Sequence, residues 1–244
     1  MERKRLEGIL QELRKNVMVR RENPRWDDKC NDWLKNALLE HERFPFHAIL
    51  AQVNPGNDNV ITEDEIDDKH PLWDIPLNIP VRRKAEEMAK VISGLLYYSR
   101  WIRFIDPYIS PARPEYKKSI STFLKILAGS RPVGPPYSIE LHTKYRGASE
   151  EFLQQFYGKI VPNGLKVTLF LWQEREDGQK FHNRYILTDI GGVAFGHGLD
   201  EGRESEMDYV TRLAPELYDL CCKQFNDKSS IFDLAVDPLV LSKE

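Results

Sequence analysis

The chain has 244 residues, 41% of them hydrophobic, with 35 Lys and Arg against 38 Asp and Glu for a formal net charge of −3. This composition excludes a disordered tail, a collagen-like rod and a repeat-only filament. It provides no global positive field to draw the chain to nucleic acid or membrane, so any polyanion site has to be local.

Three cysteines, Cys30, Cys221 and Cys222, are too few for a disulfide framework or a zinc knuckle. No run approaches the roughly 18 apolar residues of a membrane span. The expectation is a cytoplasmic protein with no transmembrane segment and no metal or other cofactor.

Leu6, Ile9, Leu10, Leu13 and Val17 recur at helical spacing, and Trp33, Leu34, Ala37 and Leu38 repeat the pattern after Asn23-Pro24. Two amphipathic helices therefore open the chain. Residues 46–53 read as a strand closed by the turn sequence Asn54-Pro55-Gly56-Asn57, and the acidic run 63–69 reads as a loop. Ala85, Met88, Ala89, Ile92, Leu95 and Leu96 share one face of a third helix.

From residue 101 onward, strand and helix patterns alternate, as in a mostly parallel sheet with crossover helices. The strands are 102–106, 137–142, 165–172, 181–188 and 193–195, the last two joined across Gly191-Gly192. Helices span about 116–127, 149–160 and 214–225, followed by an apolar tail. The run 165–172 is apolar enough to be buried on both faces. The fold expected is α/β, a mixed, mostly parallel sheet flanked by helices. Residues 1–98 form an N-terminal helical extension with a short strand, packed on a main domain of residues 99–244.

The most informative stretch for chemistry is residues 181–200. On a strand, His182 and Arg184 project to one face, which puts a nucleophile or base beside a permanent cation. The strand ends at Asp189, and a hairpin returns Gly196-His197-Gly198 beside it, so imidazole, guanidinium, carboxylate and flexible backbone converge. Such a set suits a phosphodiester: Arg neutralises nonbridging oxygens while His attacks phosphorus or carries a proton.

Upstream, His142, Lys144 and Arg146 end a strand before Gly147, where open α/β sheets place ligands. They form a phosphate rim or a solvated strand end. Asp106 orients a site residue or caps its strand. Glu204 and Glu206 touch His197 or a metal, or form a solvated acidic loop. The cluster Arg82-Arg83-Lys84 serves a polyanion or simply faces water.

The spacing of these residues resembles the phospholipase D superfamily motif, His-x-Lys-x4-Asp followed after six residues by Gly-Ser-x-Asn. His182, Asp189 and Gly196 fall in register; Arg184 stands at the Lys position, His197 at the Ser and Leu199 at the Asn. Ile105-Asp106-Pro107-Tyr108 is similar to the opening strand of such a repeat. The Arg-containing variant with its Gly-Leu-Asp ending is also similar to the phospholipase-D-like C-terminal domain of MIT-domain proteins, a membrane-binding lineage. The resemblance covers roughly residues 101–244.

The resemblance implies a phospholipase-D-like sheet and a metal-independent phosphodiesterase, foremost a nuclease. In that mechanism His182 forms a phosphohistidine, Arg184 binds phosphoryl oxygens and Asp189 orients an imidazole. His182 of the partner subunit, or the local His197, acts as acid. Asp106, Tyr108, His142, Lys144, Arg146 and Gly196 complete the substrate site. Because the motif occurs once, a homodimer is implied. Arg for Lys and the missing Ser and Asn keep other functions open. One is a noncatalytic phosphate-binding module for nucleic acid, a lipid headgroup or a protein partner; another is an adaptor of a larger complex.

Overall fold

A computed structural model describes residues 20–66, 70–72, 75–110, 112–226, 228–229 and 231–243. The helix expected over Leu6 to Val17 lies outside the described residues. The chain divides into two compact units, Met1–Leu77 and Asn78–Glu244. The boundary thus falls earlier than the expected one after residue 98, because residues 78–98 belong to the second unit's sheet and core.

In the first unit, α1 (Trp33–Arg43) begins where the Asp32 side chain accepts the Leu34 and Lys35 amides, the favoured N-cap arrangement. Leu34, Ala37 and Leu38 on α1, with Phe46, pack on Ile49, Ala51 and Val60. The expected strand over 46–53 shortens to β1 (Ile49–Leu50), which pairs in parallel with β2 (Val60–Ile61). The turn between them is built as the sequence predicts. Asn54 Oδ1 accepts the Gly56 and Asn57 amides, each at 2.9 Å, and Gly56 adopts φ +88° at no steric cost.

The second unit is a nine-stranded sheet with helices on it. In chain order its elements are β3 (Asn78–Arg82), α2 (Ala85–Val91), α3 (Ser93–Tyr98), β4 (Trp101–Ile105), α4 (Pro114–Ala128), β5 (Ser138–Lys144) and α5 (Glu150–Gly158). Then come β6 (Lys166–Glu174), β7 (Arg184–Thr188), β8 (Gly191–Phe195), β9 (Met207–Arg212), α6 (Pro215–Gln224), β10 (Phe232–Leu234) and β11 (Leu239–Ser242).

The strand order is β10-β6-β5-β4-β7-β8-β9-β3, with β11 also on β6. Parallel pairing is confined to β4-β5-β6. All other pairings of this sheet among the described residues are antiparallel, so the expectation of a mostly parallel sheet is corrected to a mixed one. The reason is chain length between strands: residues 175–183 are too few for a crossover helix back to the starting edge, so β7 runs the opposite way beside β4.

The helix expected from Ala85 breaks at Ile92 (φ −94°, ψ 11°) into α2 and α3. Pro114 occupies the start of α4 and Gly129 its C-cap, matching the preference for Pro at a helix's first turn and Gly at its end. One face of the sheet carries the larger core: Met88, Leu96, Phe104, Ile120, Phe123, Leu124, Leu141, Leu169 and Ile186 are all fully buried there. The Phe104 and Phe123 rings stack at 5.7 Å. Each such side chain contributes roughly 1.5–3 kcal/mol by leaving water.

The opposite face holds Ile105, Phe170, Trp172, Phe181, Tyr185, Leu187, Cys221 and Phe225, with α6 against β7 and β8. Strand β6 feeds both layers, Val167, Leu169 and Leu171 into the first and Phe170 and Trp172 into the second, as its apolar run predicts. Among the described residues no helix is long and apolar enough to cross a membrane.

Candidate functional site

Because β4, β5 and β6 are parallel, their C-terminal ends share one edge of the sheet, where β7 starts and β8 finishes. A cavity of about 220 Å³ opens there, lined by Pro107, Tyr108, Lys144, Arg146, Glu174, Phe181 and His182. Sequence reasoning named four of these, Tyr108, Lys144, Arg146 and His182.

Arg184, at the start of β7, puts its guanidinium carbon 5.2 Å from the Tyr108 ring centre, and Arg146 puts its own 5.4 Å from the same centre. The half-buried Tyr108 ring thus orders two arginines by cation–π attraction. Arg146 also donates to the Pro107 carbonyl at 3.3 Å. The Nε of Arg184 is buried without a hydrogen-bond partner. His182 is exposed at the rim, and among the described residues nothing hydrogen-bonds its ring.

Behind Tyr108 lies Asp106, fully buried. Its Oδ2 accepts the Leu199 amide at 2.9 Å and its Oδ1 the Tyr108 amide at 2.8 Å, while the Tyr116 hydroxyl donates to both oxygens at 3.2 and 3.3 Å. Burial pushes the Asp106 carboxyl above its usual range, and the two amides and the Arg184 charge pull it back. Asp106 therefore ties β4 to the segment after β8. Gly198, at φ +156°, passes so close that a Cβ there would lie 2.7 Å from Asp200 Oδ1 and 3.1 Å from Asp106 Oδ2.

The other expected site residues lie elsewhere. Asp189 follows the far end of β7 and accepts the Arg100 amide at 2.7 Å. Since β7 advances about 3.3 Å per residue, it stands a strand's length from His182 and does not orient that imidazole. His142 is sealed in the second core layer with no exposure because Ile105 and Phe170 lie directly across from it in the ladder. Its Nε2 lies 2.9 Å from Glu140 Oε2, and its Nδ1 accepts the Trp172 indole N–H at 3.0 Å. A phosphate rim at His142 is thereby corrected to a core contact.

Gly196 donates its amide to Asp208 Oδ1 at 3.1 Å rather than to a ligand. His197 is pinned to the same carboxylate, backbone to Oδ2 at 3.0 Å and Nδ1 to Oδ1 at 3.3 Å. The carboxylate that orients an imidazole is therefore Asp208, and neither Gly196 nor His197 lines the cavity.

The remaining charged clusters pair with one another. Arg83 bonds Asp200 at 2.6 Å and Glu206 at 2.7 Å, and Lys84 reaches Glu204 at 3.1 Å. Arg83 and Lys84 of the basic cluster are thus paired with carboxylates of the segment after β8. Among the described residues no group of His, Cys, Asp or Glu could hold a metal ion.

His142 gives a test of this layer. Burial pushes its imidazole below the usual 6.5, against the pull of Glu140. The unfolded chain takes up a proton near that value while the folded chain does not. Stability is therefore expected to fall as pH drops below about 6.5, by up to ~1.4 kcal/mol per pH unit for this one group. Urea midpoints measured from pH 7 to pH 5 are expected to fall more steeply in the wild type than in His142→Gln.

Sequence reasoning missed Glu174, Phe181, Asp208 and Asp200. Asp208 carried a signal, since Met207-Asp208-Tyr209-Val210 alternates with Asp208 in step with the buried Val210, a polar residue at a core position. Glu174 had none.

No protein-family model matches the sequence, and no curated protein matches it. Among solved structures, the chain is similar to TrmBL2, an archaeal chromatin protein with a novel mode of DNA binding, at 13% identity and a TM-score of 0.33. The similarity covers 66% of this chain and 54% of that one, so the chain spans about half of that protein's length. At that score the likeness assigns neither fold nor function.

Proposed function

We propose that the cavity at the β4–β7 strand ends is an anion site for a phosphate group, and that the protein acts as a noncatalytic phosphate-binding module. The observation that carries this reading is the pair of guanidiniums, Arg146 and Arg184, ordered on one tyrosine ring beside the cavity, with Lys144 on its wall. Arginine suits this work because its planar fork meets phosphate oxygens two at a time.

Arg184→Ala is expected to weaken binding of inorganic phosphate, or of a phosphorylated oligonucleotide, about tenfold or more, the loss of one strong charge-assisted contact. Isothermal titration at low salt measures it. Unchanged affinity would remove the site.

The exposure of His182 at the same rim favours a second reading, a metal-independent phosphodiesterase, most simply a nuclease. Its nucleophile would be His182, with Arg184 on the phosphoryl oxygens and a second copy of the chain supplying the acid. Asp189, held at the other end of β7, takes no part in that scheme. Cleavage of labelled DNA or RNA that persists in EDTA and vanishes in His182→Ala would replace binding by catalysis.

A further inference from the structure

The second face of the large sheet is covered only in part. Helix α6 lies on β7 and β8, while β9 and β3 beyond them are exposed on that side. Alternation along these strands sends Val81 and Val210 into the first core layer. It leaves Asn78, Pro80 and Arg82 of β3 paired across from Thr211, Tyr209 and Met207 of β9 on the other side. All but Thr211 are exposed, and Tyr209 keeps 61% of its surface in water. The six carry one cation and no carboxylate, in a chain of net charge −3. That cation, Arg82, has no ion pair among the described residues, although its neighbours Arg83 and Lys84 are both paired.

This patch shares one edge of the sheet with the cavity. Because β7, β8, β9 and β3 alternate in direction, β8 ends, β9 starts and β3 ends where β7 starts. Neighbouring strands lie ~4.8 Å apart, so β9 stands ~10 Å from β7 and ~14 Å from β4, the strand that Tyr108 follows. The exposed His197, held by Asp208, follows β8 between them.

We propose that the β9–β3 patch is a base-stacking platform, and that the phosphate held in the cavity belongs to a single-stranded nucleic acid lying along this edge. The inference rests on the phosphate-binding reading above and names the carrier. Every base has a π-face, so an exposed aromatic ring beside a cation holds single strands without reading their sequence. Tyr209 supplies the ring and Arg82 a contact to the backbone. The distance from cavity to platform is well inside the span of the ~4–16 nucleotides that one single-strand-binding fold contacts. A duplex keeps its bases stacked on one another, and a lipid headgroup in the cavity gives Tyr209 nothing to stack on.

Fluorescence anisotropy at low salt separates the two contacts, with a labelled single strand of ~12 nucleotides and an abasic sugar–phosphate chain of equal length as probes. Wild type is expected to bind the base-bearing strand about tenfold more tightly than the abasic one. Tyr209→Ala should remove that advantage while leaving the binding of inorganic phosphate unchanged. Tyr209→Phe should keep it, since stacking uses the ring and not the hydroxyl. Arg82→Gln should lower the slope of log affinity against log salt by about 0.7, the share of one phosphate contact on a single strand.

A wild type that binds phosphate but favours neither oligomer overturns the platform, as does a preference that survives Tyr209→Ala. Vesicles of phosphatidic acid bound more tightly than the oligonucleotide would also overturn it, and each of these results leaves the phosphate site standing. Binding of phosphate and oligonucleotide that are both untouched in Arg184→Ala overturns the phosphate-binding reading instead, and with it the link between cavity and strand.

Discussion

Asp106→Ala is expected to lower the stability of the protein by about 3 kcal/mol, read as a fall in the urea midpoint at constant slope. The carboxylate is fully buried and accepts from the Leu199 and Tyr108 amides and the Tyr116 hydroxyl. Its removal strands three donors that water does not reach, and the cost of a buried donor without an acceptor exceeds the net value of the bond it once made.

Two companions separate the contributions. Tyr116→Phe removes one donor along with the need for its acceptor, and should cost about 1 kcal/mol. Asp106→Asn retains the volume, but its single amide oxygen cannot serve both the Leu199 and the Tyr108 amide, so it should lose well over half of what alanine loses. An Asp106→Ala protein with a wild-type midpoint would mean that this carboxylate does not join β4 to the segment after β8.

The second large effect is expected at Trp172. Trp172→Ala should cost about 3–5 kcal/mol, the range for truncating a buried aromatic residue. The ring is 1% exposed, stacks with His142 at 5.9 Å and Phe170 at 6.0 Å, and lies 6.4 Å from Phe232. Its indole N–H also supplies the only donor described for His142 Nδ1. Trp172→Phe keeps much of the apolar volume and loses that donor, so it should fall between wild type and alanine. Thermal unfolding followed by far-UV circular dichroism orders the three. Equal melting of Trp172→Ala and wild type would contradict the packing of the second core layer.

What the sequence made legible follows the length scale of each signal. The apolar run of β6, the period of α4 and the Asn54 turn each depend on neighbours a few residues apart, and each forms where periodicity and turn chemistry put it. Sheet polarity was not legible, because it depends on whether residues 175–183 can hold a crossover.

Strand β3 was hidden for a different reason. Pro80 argues against a strand unless the strand is an edge, and only pairing with β9, more than a hundred residues along the chain, makes it one. At the site, the strand-end argument put Lys144 and Arg146 beside His182 on the cavity wall, whereas the parity argument assumed a strand from residue 181, and β7 starts only at Arg184, which does not line the cavity. Parity could not tell that the other face of β5 at His142 is covered by the aromatic layer built on α6. Motif spacing brought Asp189 into the set, yet a residue seven positions beyond His182 on an extended strand is carried away from it by geometry alone.

The rims of the large sheet bear on how anything else can reach it. Along one rim β10 and β11 are three and four residues long and are separated by residues 235–238; along the other, β3 carries Pro80, which has no N–H, in its middle. Neither rim offers an uninterrupted rail of donors and acceptors on which a foreign chain could lay down a further rung. Lateral templating is discouraged on both sides.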